Sequence, residues 1–196
     1  MSDARGFQLV EMVVALAVLA IGALLVVPPV LSLSAALRVD LAAHELAAAL
    51  QEAKSLARRH SAMVAVKFYP GANRVAFACY RDGDGDGVLN SDIVRGVDPQ
   101  VTPLRFLAHL GGRVGFGFPP GPPPRDPGDP SRRLGRLADP VRFNDSDLAS
   151  FGSFGSATPG SLYVTDGRRE LAVVRVTGIS GRVRILHWNP DADSWK

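Results

Sequence analysis

The chain has 196 residues, with 22 Lys and Arg against 19 Asp and Glu, four histidines and one cysteine. That length bounds it to one ordinary domain plus an appendage, and a net charge of +3 is too slight to specify a nucleic-acid or lipid partner. The single Cys79 excludes an internal disulfide framework and any multi-cysteine metal site, and its place in the alternation Val75, Phe77, Cys79 predicts a buried strand thiol.

The N-terminus is the most informative stretch. Residues 12–37 carry no charge. A helix crosses a bilayer with about 20 apolar residues, so the run suffices for one span. It is too long for the apolar core of a secretory signal, and the nearly balanced leader Met1–Gly6 lacks the basic region such signals need. A plain anchor fits the length but leaves Glu11 unexplained, because a carboxylate at the edge of a spanning helix is costly and calls for a partner. Pro28 and Pro29 break the run, since proline deletes a backbone hydrogen bond. From Arg38 to His60, Leu46, Leu50, Ala53 and Ala57 recur at helical spacing, which predicts an amphipathic helix packed on a sheet.

Beyond residue 62 the pattern turns to strands. Val64–Tyr69 and Arg74–Tyr80 flank Pro70-Gly71-Ala72-Asn73, strong turn chemistry, and predict a hairpin. Pro119–Pro130 holds seven of the fifteen prolines and predicts a mobile surface loop. Ser161–Thr165, Leu171–Val176 and Arg182–Trp188 read as three more strands, with Asp166-Gly167 as the first turn. The layout is α+β, a long N-terminal helix on one antiparallel sheet.

The segment Gly6-Phe7-Gln8-Leu9-Val10-Glu11, abutting an apolar helix, resembles the processing site of type IV prepilins and type II secretion pseudopilins. The order of helix, first hairpin and closing Gly181-Arg182-Val183-Arg184 strand is similar to the GspH/FimT group of minor pilins. That resemblance implies a pilin-like fold. Residues 1–6 would be a leader, 7–33 the transmembrane and assembly half of the helix, 34–62 its amphipathic half, and 63–196 a β-rich periplasmic head. It implies cleavage by a prepilin peptidase between Gly6 and Phe7, and N-methylation of Phe7. It also implies pairing of Glu11 with a neighbouring subunit's N-terminal amine, and a helix break at Pro28. The protein would be a single-pass protein of the bacterial inner membrane, leader in the cytoplasm, that joins other pilin or pseudopilin subunits in a secretion pseudopilus. The alternative within the group is a type IV pilus minor pilin that binds DNA during uptake.

Two constellations in the head carry chemistry. Asp82, Asp84 and Asp86 at alternate positions, with Gly87 next, resemble the start of an EF-hand calcium loop. In that reading Leu89 packs inward and Asn90 or Asp92 replaces the closing glutamate, whose place Ile93 occupies; the competing reading is a solvated Asp/Gly turn. Arg182 and Arg184 share one strand face about 7 Å apart, with Val183 and Ile185 opposite, and could meet successive phosphates of DNA. Arg168, Arg169 and Arg175 would enlarge that patch if the sheet brings them near; otherwise the arginines are structural. His44, His60, His109 and His187 are scattered without a matching carboxylate. Ser153, Ser156 and Ser161 lack a nucleophile motif. The expectation is that the protein is not an enzyme.

Overall fold

The structure, a computed structural model, describes residues 4–69, 75–107, 114–178 and 180–196. Within the first helix the side chains described are those of 9–22 and of 33 onward. The chain divides into two units, Met1–Leu37 and Arg38–Lys196.

Helix α1 spans Ala4–His60. Arg58, Arg59 and His60 fill its last turn, where cations complement the negative end of the helix dipole. In the second unit its buried positions are Val39, Ala42, Ala43, Leu46, Ala49, Leu50, Ala53, Leu56 and Ala57. Steps of three and four keep all of them on one side. The many alanines let the helix axis lie close to the strands beneath. Among the described residues, no helix is long and apolar enough to cross a membrane. Pro28 and Pro29, where a break was expected, lie within the span of α1, and their side chains are outside the described residues.

The head is α+β with antiparallel sheets, and there are two of them rather than the single sheet expected. Strands β1 (Val64–Tyr69) and β2 (Ala76–Arg81) form the anticipated hairpin, with Val66 opposite Cys79. The hairpin's turn, residues 70–74, lies outside the described residues. Next come helix α2 (Asn90–Arg95), β3 (Arg105–Phe106), β4 (Gly115–Phe116), β5 (Val141–Arg142) and β6 (Leu148–Phe151). The chain closes with β7 (Gly160–Thr165), β8 (Leu171–Thr177), β9 (Arg182–Asn189) and β10 (Ser194–Trp195). The first sheet has the order β3-β2-β1-β6, and the second β10-β9-β8-β7-β4, with β5 also on β7. The hairpin therefore never joins the C-terminal strands: β3 and β6 occupy its two edges. Those short strands carry too few residues for an alternation to be read.

One core serves helix and sheets together. Val64, Val66, Phe68 and Phe77 from the first sheet meet Leu162, Val164, Ala172, Val174 and Val176 from the second, against the alanine face of α1. Phe68 stacks on Phe143 at 5.9 Å between ring centroids and meets Phe116 edge-on at 5.8 Å, which joins the two sheets. Gly160 is required beside them, because a Cβ there would lie 2.3 Å from the Phe143 ring.

The outer faces are covered as well. Ala65, Ala78, Tyr80 and Leu148 of the first sheet pack under Val88 and Ile93. Tyr163, Leu171 and Val173 of the second pack with Leu134, Phe118, Leu186, Trp188 and Trp195. The proline-rich segment lies on this second face and is pinned, contrary to the expectation of a mobile loop. Asp193 holds Arg125 at 2.7 Å and Arg133 at 3.0 Å. The Trp195 indole N–H donates to the Arg125 carbonyl at 2.6 Å. Proline lacks the donor for a strand but keeps its carbonyl, and those of Pro123, Pro124 and Pro130 accept bonds from Arg133, Leu134 and Arg125.

Candidate functional site

Three places bear on function, and the first lies in the N-terminal unit. Leu9, Val10, Met12, Val13, Val14, Leu16, Val18, Leu19 and Ile21 are all more than half exposed. They occupy every side of the helix, so no single face is the wet one. Glu11 is the one charge among them, exposed, and among the described residues no cation lies within ion-pair distance of it. Gly6 and Phe7 fall within α1, and their side chains, like that of Pro28, lie outside the described residues.

The second is the acidic loop between β2 and α2. Its path is set by two buried carboxylates. Asp82 accepts backbone N–H groups of Asp84, Gly85 and Gly87 at 3.2, 2.7 and 3.1 Å, which curls the chain around it. Asp98 accepts those of Gly83 and Leu89 at 3.0 and 2.9 Å and staples the loop's far side. Gly83 has no substitute here: a Cβ would sit 1.9 Å from the Val97 carbonyl oxygen. Carboxylate oxygens of Asp82, Asp84 and Asp86 lie within 4.8 Å of one another. Partial desolvation, a hydrogen bond with Asp84 and the charges of Asp84, Asp92 and Asp82 push the Asp86 carboxyl above its usual range.

Two loop expectations need correction. Val88, not Leu89, packs inward, because the residue after Gly87 lands over Ala65 and Tyr80 while Leu89 turns out to start α2. Asp92 lies outside the cluster of three; it is fully buried and its Oδ1 pairs with the Arg95 guanidinium one helical turn on. Asn90 is exposed at the first position of α2. Asp98 was missed by sequence reasoning; an aspartate before Pro99, just after the left-handed Gly96, was its only signal.

The third place is the outer face of β8 and β9. Arg182 and Arg184 are exposed on it, while Val183 and Ile185 pack toward the core, as strand alternation requires. Arg175 stands directly opposite Arg184 and enlarges the patch. Its guanidinium lies against Gly128, where a Cβ would come within 2.5 Å. Among the described residues, none of the three has a carboxylate at ion-pair distance. Arg168 and Arg169 do not join them: they sit in the β7–β8 turn at the other end of the sheet, where Arg169 pairs with Asp191. Lys54 reaches the Ser180 and Gly181 carbonyls at 2.8 and 3.0 Å and anchors the turn into β9.

The histidines are less scattered than the spacing implied. His44 Nδ1 and His187 Nε2 both approach Asp40 Oδ1, at 3.3 and 3.2 Å, because β9 passes the first turns of the buried helix half. His60 is exposed and His109 lies outside the described residues. Cys79 is buried in β2, where burial pushes its thiol above the ordinary value. Ser153 and Ser156 lie in the turn after β6, and Ser161 in β7. Comparison of the chain with protein-family models, with curated proteins and with solved structures finds no match.

Proposed function

We propose that this chain is a minor pseudopilin: a structural subunit of a type II secretion-like pseudopilus, with a pilin-like fold and a head held on a membrane-derived helix. One observation carries the reading. The segment Leu9–Ile21 is apolar on every side of its helix and exposed, with a lone carboxylate at Glu11. An all-round apolar helix is covered by lipid or by other helices, and a lone carboxylate in such surroundings requires a cation. A bundle of like helices supplies both: neighbouring apolar faces, and the N-terminal amine that cleavage after Gly6 creates on Phe7. In a low-dielectric seam that ammonium and carboxylate attract strongly, and each is penalised if left alone, which sets the register between subunits. The chain sits in the inner membrane before assembly, leader in the cytoplasm and head in the periplasm, and its partners are the prepilin peptidase and other pilin subunits.

The test is co-expression with a prepilin peptidase and mass analysis of the mature N-terminus. Wild-type chain is expected to begin at N-methylated Phe7, and Gly6→Val to keep its leader. A chain left whole by the peptidase, or cut elsewhere, would sink the reading.

A second reading has its own support in the unpaired basic face. Arg175, Arg182 and Arg184 make a short cationic row suited to a phosphate backbone, as a DNA-binding minor pilin of a type IV pilus requires. Binding of labelled duplex DNA in low and moderate salt decides it. Under this reading Arg182→Ala/Arg184→Ala lowers affinity at least tenfold and flattens the salt dependence. Binding that ignores both arginines returns them to the sheet surface.

A further inference from the structure

We propose that the loop following β2 is a calcium site, with Asp82, Asp84 and Asp86 as its ligands and the free oxygen of Asp92 completing its polar surroundings. Two oxygens on one calcium ion, each at about 2.4 Å, are never more than about 4.8 Å apart. Asp82, Asp84 and Asp86 each offer an oxygen that meets this limit with respect to the other two. The donor set is all oxygen, the preference of a hard cation, and the chain is already curled around Asp82 by three backbone N–H groups.

An independent observation points the same way. Asp92 is fully buried, and its Oδ2 has no hydrogen-bond partner. A buried carboxylate oxygen left bare is costly, and such orphans mark an absent ion or water. Arg95 pairs with the other oxygen, Oδ1, so it does not relieve Oδ2. Asp92 also belongs to the same loop's frame: its carbonyl accepts the N–H groups of Val97 and Asp98 at 2.9 and 3.2 Å, and the Asp98 carboxylate in turn holds Gly83 and Leu89. Charge completes the case. Asp82, Asp84, Asp86, Asp92 and Asp98 place five carboxylates around this loop; Arg95 is paired with one of them, and Arg81 turns to the Asp82 carbonyl instead. A divalent ion offsets what one guanidinium leaves.

The inference stands apart from the assembly reading, since a chain that is neither cleaved nor assembled would still bind the ion. The test uses the full chain in detergent micelles, stripped with chelator and then titrated with calcium chloride or magnesium chloride, followed by calorimetry and thermal unfolding. Calcium at about a hundredfold above its Kd is expected to raise the melting temperature by about 5–10 °C. Asp84→Asn/Asp86→Asn should abolish the shift. Both positions are exposed, and removing their repulsion should leave the calcium-free variant melting at or above wild type, which separates lost binding from lost folding. No calcium-dependent shift in the wild type, or an equal shift in the variant, overturns the proposal. A magnesium shift as large as calcium's overturns the assignment to calcium.

Discussion

Glu11→Leu is expected to leave processing at Gly6 intact and to abolish incorporation into filaments. The substitution removes no apolar surface and makes the segment more lipid-compatible, so insertion and cleavage proceed. Under the proposed assembly, what it removes is the carboxylate that would face a neighbouring subunit's N-terminal ammonium. Stripping one partner from a buried ion pair costs about 3–5 kcal/mol because the other charge is left bare, so subunit association should fall a hundredfold or more. The measurement is crosslinking of the mature chain to partner subunits in membranes, quantified against wild type. Glu11→Asp keeps the charge with a shorter reach and should recover part of the yield. Wild-type crosslinking by Glu11→Leu would mean that apolar packing alone drives docking, and the carboxylate would lose its role.

Phe68→Ala should destabilise the head by about 3–5 kcal/mol, the usual range for emptying a buried aromatic site. Phe68 is 1% exposed and touches Phe143 on one side and Phe116 on the other. It is the first sheet's contribution to a contact whose other two rings come from β4 and from the residue that follows β5, so the loss falls on the junction of the two sheets. A drop in melting temperature of about 10 °C follows for a chain of this size. Phe154 is the internal control: fully exposed in the turn after β6, its change to alanine should shift stability by no more than about 0.5 kcal/mol. Equal, small effects at both positions would contradict a single core shared by helix and sheets.

The regions legible in advance are those whose information is local. Leu46, Leu50, Ala53 and Ala57 repeat with the helix period, and all four are fully buried. The β1–β2 hairpin and the β7, β8 and β9 run follow from alternation and turn residues, and the inward Val183 and outward Arg184 follow from the two-residue period. The absence of charge in residues 12–37 and the lone Glu11 are likewise properties of the chain itself. Three clustered aspartates could be named as a group for the same reason.

Tertiary structure alone decided which edges pair and which groups become buried. β6 joins β1 across some eighty residues, and no local pattern announces a four-residue strand whose partner is so far away. The same holds for Asp98, which is important because the loop folds back onto it, and for Asp40, which meets two histidines from different elements. The proline-rich segment reads as loose because proline forbids regular pairing, yet Asp193 and Trp195, about seventy residues on, pin it down. Periodicity records which side of an element is apolar; it does not record what that side meets. The partner is chosen by burial summed over the whole chain, and so appears only once the chain has closed on itself.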